Sequence, residues 1–435
     1  MKLFPVAIAA FVLALGAAGA ACGGSGDSTP APPTTTGGDV PPTGAGGGDA
    51  APPTYPAAHP SMPEVQNLGG ATLAHPKIVP IFFPGVSYRD QVVDYASKIG
   101  ASKYWSAVGT EYGVGPAEAQ MAIDILDAPA AAILDDEIKA WLTSRFDGTH
   151  PEFGDTPVDG AIYTLYYPST TTISLTAPPT VDAGADAGHH YGGGTSCRGF
   201  GGYHDDVIYD GKHISYAVIP ECAKFGPLTG VDVVTGTSSH EWIEAATDPS
   251  PNWAPAYASV DDDHLAWQYV LGAGEVGDMC AQYDSSFYKD PEIGYFVQRS
   301  WSNAAAKAGS EPCVPAASTN PYFNAAPVFK DEIAVTTGDT KGVKVPVGAT
   351  KSFDLVLFSS APTSGPWDVK VSTLGNSMTP AVEFTLDKTS GVNGDVIHVM
   401  VKADTAASSR LGATPFIIES TLGGDTNYWA GLVGN

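Results

Sequence analysis

The hydrophobic rhythm of this chain changes once, near residue 320. Before that point, short β-branched and aromatic runs alternate with stretches whose apolar residues recur every three or four positions. KIVPIFFPG (77–85), AIYTLYYP (161–168) and HISYAVIP (213–220) have the composition of buried strands. Residues 89–108 carry Val92, Val93, Ala96, Ile99 and Tyr104 at helical spacing. Residues 130–146 place Leu134, Ile138, Trp141 and Leu142 on one helix face. Interleaved strands and helices imply one α/β domain over 73–319. Beyond it, KGVKVPV, SFDLVLF, WDVKVST and VIHVMVKA are short alternating runs separated by Gly, Pro, Ser and Asp. That pattern predicts an all-β sandwich of immunoglobulin-like type over 320–435, acting as a binding or spacer module.

Residues 1–22 have one early lysine, an apolar run and small residues before Cys22. This reads as a secretory signal whose cleavage box is of lipoprotein type, with Cys22 as the lipidation site. Ordinary cleavage near Ala20 is the alternative. Residues 23–72 contain no Lys or Arg and are rich in Gly, Pro, Thr and Ala. A disordered tether follows from that composition. A lipid-anchored protein of the cell envelope or surface is therefore expected, touching the membrane only through its anchor. Lys plus Arg is 21 and Asp plus Glu is 47, giving −26, which excludes nucleic acid as a partner. In an oxidising compartment, Cys197, Cys222, Cys280 and Cys313 suggest two disulfides with three possible connectivities. The expectation is the sequence-local pairing, Cys197–Cys222 and Cys280–Cys313. No CxxC pair points to metal binding by these cysteines.

Chemistry concentrates in VVTGTSSHEWIEAATDP (233–249). Thr237 or Ser238 is positioned to open a helix and Pro249 to stop it. On a helix, His240 and Glu244 are i and i+4 and emerge on one face. HExxH helices present two zinc ligands at this spacing, with the intervening Glu as general base. Here a glutamate replaces the second histidine, and carboxylate oxygen is an acceptable zinc ligand. Downstream, GEVGDMC (274–280) offers Glu275 and Asp278 in a glycine-flanked acidic turn.

From residue 239 to 313, SHEWIEAATDP, GEVGDMC and VQRSWSNAAAKAGSEPCVP together resemble the exordium (phosphate-induced protein) family and its bacterial relatives. CRGFGGYHDD and ISYAVIPEC extend the resemblance over about 75–318. That family is extracellular and carries a zincin-like HExxE signature. The resemblance implies a zincin-like fold, His240 and Glu244 as metal ligands, Glu241 as general base, and Asp278 as third ligand with Glu275 in reserve. This chain departs from the family by an insertion at 254–274, which bears on how the third ligand reaches the helix.

One histidine and two carboxylates around a divalent ion make a formally neutral site. Water there is acidified less than at a two-histidine site, so a slow hydrolase or a raised pH optimum is expected. Zinc is the expected cofactor, and the oxygen ligands tilt preference toward other divalent cations such as Mn or Ca. His204, in GYHDD, is a candidate transition-state donor or extra ligand, or else a surface turn residue. Asp248 either orients a ligand histidine or forms a turn. Asp261, Asp262, Asp263 and His264 lack calcium-loop spacing and read as a solvated acidic turn. Trp242 and Ile243 face the core. No phosphate-binding glycine loop or GxSxG elbow occurs. The sequence thus supports a tethered metal-dependent hydrolase, most plausibly a zincin-like peptidase acting on peptide or cell-envelope substrate. A non-catalytic adhesion or signalling protein with a structural metal site is the alternative, and a carbohydrate-directed surface protein is a third.

Overall fold

Side chains alternate across the strand Lys77–Phe82 (β1): Ile78 and Phe82 enter one core, Val79 and Ile81 a second. The computed structural model describes residues 53–154, 157–175, 194–272, 274–317, 320–335, 338–374, 382–406 and 412–435. The signal segment, Cys22 and residues 23–52 of the expected tether lie outside them. Strand β1 pairs in parallel with Ala161–Tyr167 (β2), and β2 with Lys212–Pro220 (β4). Tyr203–Tyr209 (β3) closes that edge antiparallel to β4, and Glu118–Ala119 lies on the far side of β1. Both faces are buried, which is why these strands read as nearly continuous apolar runs.

One face is covered by the helix Asp135–Ser144 (α3), through Ile138 and Leu142. The other carries Arg89–Ile99 (α1), Lys103–Gly109 (α2) and Val231–Thr247 (α4). The period-two rule decides where β3 aims its polar residues. Tyr203 and Asp205 turn toward α3, where Tyr203 donates to Asp135 and Asp205 meets Lys139. His204 and Asp206 face the side that holds α4.

Local readings shift in four places. The helix expected over 89–108 breaks after Ile99 and restarts at Lys103, where the extended Ser102 caps the second helix by accepting from the Trp105 N–H. The helix expected over 130–146 starts at Asp135, since Ala132–Leu134 pairs as a strand with Thr172–Ser174. Helix α4 begins at Val231, not at Thr237 or Ser238. Every residue from Val233 to Thr247 is buried, so no amphipathic stripe marks its start. Residues 53–72, assigned to the tether by composition, pack on the fold. Ala57, Met62 and Val65 are buried, and Val65–Asn67 pairs with Tyr257–Val260. Composition measures whether a segment can make its own core; these residues dock on a core made by others.

The described residues are mostly β-structure with few helices. Past residue 320, a four-stranded and a six-stranded sheet pack together, with Phe323 against Trp367 and Phe353 against Phe416. The insertion at 254–274 docks here. Its helix Leu265–Leu271 (α5) sets Trp267 between Trp301 and Trp429. In the acidic turn, Asp261 binds His264 Nδ1 at 2.7 Å and the Glu64 backbone N–H at 2.8 Å. No described helix is long and apolar enough to cross a membrane.

Both sequence-local disulfides form: Cys197–Cys222 and Cys280–Cys313. Beside the second, burial raises the Glu311 carboxyl to about 7, partly opposed by the Cys313 N–H and Arg299. The folded state therefore binds this proton more tightly than the unfolded chain. Its contribution to stability is full below about pH 4.5 and is lost as pH rises through 7. Glu311→Gln is expected to melt higher than the parent at pH 8, by on the order of 2 kcal/mol, and level with it near pH 5. A difference that does not change with pH counts against this account.

Candidate metal centre

Helix α4 brings His240, Glu241 and Glu244 to the sheet edge that carries His204. Trp242, on the opposite side of the helix, donates to Thr164 Oγ1 of β2 at 2.8 Å and stacks on Tyr95, fixing the rotation of α4. Ser238 adds a 3.0 Å hydrogen bond to the Tyr166 hydroxyl. With that face pinned, His240 Nε2 lies 2.9 Å from Glu244 Oε2. The acidic turn then folds back over the helix through Asp278–Ala281 (α6), held in sequence by the Cys280–Cys313 disulfide. Asp278 Oδ1 comes within 3.7 Å of His240 Nε2, and the Asp278 N–H donates to Glu244 Oε1 at 2.9 Å. The 254–274 insertion leaves this approach intact because it turns away toward the sandwich.

His204 is not a surface turn residue. Its Nδ1 lies 3.6 Å from Glu241 Oε2 and 3.8 Å from Glu244 Oε2, and its Nε2 lies 3.4 Å from Glu275 Oε1. The Asp248 carbonyl accepts from His204 Nε2 at 3.1 Å, so that nitrogen carries the proton and Nδ1 turns its lone pair to the carboxylates. Asp248 thus orients a histidine through its backbone, while its Oδ1 accepts from the Ala256 N–H. All six sequence candidates, Glu241, His204, His240, Glu244, Asp278 and Glu275, converge, with Asp248 as a seventh member.

Two features escaped the sequence. Gln298 Nε2 donates to the Gly277 carbonyl at 2.8 Å, which turns its Oε1 to His240 Nδ1 at 3.1 Å. His240 Nδ1 therefore carries the proton and Nε2 points at Glu244. A lone polar residue in YFVQRSW gives no signal of this role. The second is space. A Cβ on Gly277 would lie 2.7 Å from Glu244 Oε1 and 2.8 Å from His240 Nδ1, and one on Gly202 would lie 2.9 Å from Glu241 Oε1. Both glycines let backbone close over the carboxylates.

The donor set fits a divalent cation. Both oxygens of Glu241, Glu244 Oε2, Asp278 Oδ1, Glu275 Oε1 and Asp248 Oδ2 are buried with no aligned hydrogen-bond donor. Buried oxygens in that state are costly unless a cation or protons complete them. Ligand atoms about 2.1 Å from a tetrahedral ion lie roughly 3.4 Å apart, and the separations of His240 Nε2 and His204 Nδ1 from the facing carboxylate oxygens, 2.9 to 4.0 Å, bracket that spacing. The trios His240, Glu241, Glu244 and His204, Glu244, Glu275 each hold donor atoms within 4.8 Å of one another.

Electrostatics agree. Burial alone would lower His240, but the carboxylates of Glu244 and Glu241 raise it to about 10. Burial likewise opposes His204, which Glu241 and Glu244 raise to about 9. Burial and then the Glu244 carboxylate push Glu275 and Asp278 well above the usual carboxylate range. Without a cation, the pocket holds protons instead. Gln298→Leu removes the acceptor that fixes His240 and is expected to weaken cation binding by about 10- to 100-fold. Titration calorimetry reads this, and unchanged affinity would show that the amide does not position the ring.

A cavity of about 440 Å³ lies elsewhere, between residues 56–64 and the helix Asn303–Lys307 (α7), and none of the donors lines it.

No family model matches this chain, and no curated protein matches it. Among solved structures it is similar to domains 4 and 5 of the S-layer protein SbsC, at 17% identity and a TM-score of 0.17. That match covers 25% of this chain and 54% of the other. It is also similar to SbsC domains 1–6, at 13% identity and 0.18, covering 34% and 19%. A chimeric titin Z1Z2 carrying a decorin peptide matches at 12% and 0.16, covering 27% and 48%. The chain spans about half, or less, of each matched chain. Likeness at these TM-scores assigns neither fold nor function.

Proposed function

We propose that this protein is a metal-dependent hydrolase of the cell envelope, zincin-like in its first domain and immunoglobulin-like in its second, acting on peptide substrate. One observation carries the reading. Glu241, the residue between the two helix ligands, is buried beside them with neither carboxylate oxygen hydrogen-bonded. A glutamate kept only for structure is expected to have donors; one kept for proton transfer must keep an oxygen open. Bound in this pocket, a divalent cation, zinc first, supplies Lewis-acid polarisation and acidifies water. His240, Glu244 and Asp278 hold it, with His204 and Glu275 alongside. Glu241 takes the proton from the attacking water and passes it to the leaving amine. Desolvation raises the Glu241 carboxyl, opposed by His240 and His204, and a raised carboxyl is the better proton carrier near neutral pH. His204 steadies that carboxylate when its ring is protonated, with Nδ1 3.6 Å from Glu241 Oε2. The exordium resemblance and the two disulfides favour an extracellular or envelope setting, with anchoring through Cys22 as part of the same proposal.

A second reading is a structural metal centre without turnover. The burial of the donors favours it: His240 is 2% exposed, and Glu241 and Glu244 are 0% exposed, whereas catalytic zinc keeps an open position. One experiment separates the two. Untagged protein is loaded with zinc, its metal content measured, and a peptide library digested beside Glu241→Gln. Loss of cleavage by about 10²- to 10⁴-fold with metal content unchanged is the expected result. Metal retained with no cleavage by either protein establishes the structural reading.

A further inference from the structure

We infer that the pocket is built for two divalent cations, with Glu244 as the shared carboxylate. The inference rests on the metal-centre reading above and goes beyond its single ion. Glu244 stands between two donor groups: His240 on one side, with Asp278 Oδ1 3.7 Å from its Nε2 and Glu241 kept for proton transfer, and His204 with Glu275 on the other. The groups are presented by different elements: the first by α4 and α6, the second by β3, α4 and the turn before α6. Each has its own backbone anchor. Gln298, bonded to the Gly277 carbonyl, orients His240, and the Asp248 carbonyl orients His204. Two independently oriented imidazoles thus flank one carboxylate, with Glu244 Oε2 at 2.9 Å from His240 Nε2 and 3.8 Å from His204 Nδ1.

Charge makes the same point. Glu241, Glu244, Asp248, Glu275 and Asp278 are all buried, and with neutral imidazoles they total −5. One divalent ion leaves −3 inside the fold; two leave −1. Buried charge persists only when paired, and oxygens remain on both sides: Asp278 Oδ1 beside His240, and Glu275 Oε1 beside His204. Two-metal sites use a shared carboxylate to hold ions about 3.5–4 Å apart, and oxygen-rich donors of this kind suit Mn²⁺ as well as Zn²⁺.

Elemental analysis of the untagged full chain, loaded separately with Zn²⁺ and Mn²⁺ at pH 7.5 and desalted, tests this. The expected result is two ions per chain in the parent, and one in Glu275→Gln and in His204→Gln. As a measurement needing no variant, the Mn²⁺-loaded parent should give the electron paramagnetic resonance spectrum of a spin-coupled pair. One ion per chain, or an uncoupled Mn²⁺ spectrum at full loading, overturns the two-ion inference and leaves the single-ion reading standing. No bound ion in the parent overturns both, and protons are then what neutralise the carboxylates.

Discussion

Gly277→Ala lowers the affinity for divalent cation by about 100-fold, the upper end of what outer-sphere changes cost at metal sites. The backbone of Gly277 has φ −76° and ψ −43°, ordinary helical values that alanine adopts without strain. The substitution therefore adds no backbone strain of its own and acts through volume. The added methyl lies 2.7 Å from Glu244 Oε1 and 2.8 Å from His240 Nδ1, and neither group can retreat. Glu244 Oε1 accepts from the Asp278 N–H at 2.9 Å, and His240 Nδ1 is held at 3.1 Å by Gln298. Relief requires the acidic turn to lift, carrying Asp278 and Glu275 off the helix. Zinc titration by calorimetry measures the loss. Gly365→Ala, which opens onto space, serves as the control. Equal affinity in parent and Gly277→Ala would mean that the turn does not complete the site.

Removal of the cation has the second large effect. A ligand present at a thousand times its dissociation constant stabilises the folded state by about 4 kcal/mol. Chelation therefore lowers the melting midpoint by roughly 5 °C for a chain of this size. The molecular cause is the return of the buried carboxylates to one another's company, with only protons to neutralise them. Differential scanning calorimetry before and after treatment with a chelator, with metal content checked in both samples, gives the number. A midpoint unmoved by loss of a bound ion would show that protonation alone satisfies the pocket.

The chemistry of this site is legible in the sequence where it follows local spacing. His240, Glu241 and Glu244 sit one helical turn apart, and HExxE declares that turn without any knowledge of the fold. His204 is half legible: it sits on a strand, and alternation aims it opposite to Tyr203 and Asp205, but which face meets α4 is a tertiary fact. Gln298 is not legible at all, because its task depends on a carbonyl twenty-one residues away in the chain. Gly277 and Gly202 resemble any loop glycine until the side chains beneath them are placed. Pattern fails at α4's first turn for another reason, since a helix buried on every side has no polar face to mark it. The same limit applies to residues 53–72. Their prolines and small residues cannot form a core, yet Ala57, Met62 and Val65 fill gaps in one that already exists.

That strap sets how the molecule bears load. Residue 57 donates its backbone N–H to Asn393 in the sandwich, and Asn393 in turn donates to the Thr54 carbonyl. Val65 exchanges hydrogen bonds with Asn303, Glu64 with Asp261, and Val65–Asn67 runs along Tyr257–Val260. Tension arriving from the N-terminal side therefore enters at the seam joining the two halves and is shared across both. Because Val65–Asn67 is bonded along its length, pulling must shear several bonds together, which resists rupture better than unzipping them singly. The same strap continues to the helix bearing His240, where the Leu73 N–H donates to the Ala246 carbonyl at 2.8 Å, so the fastening of residues 53–72 and the metal pocket are mechanically linked.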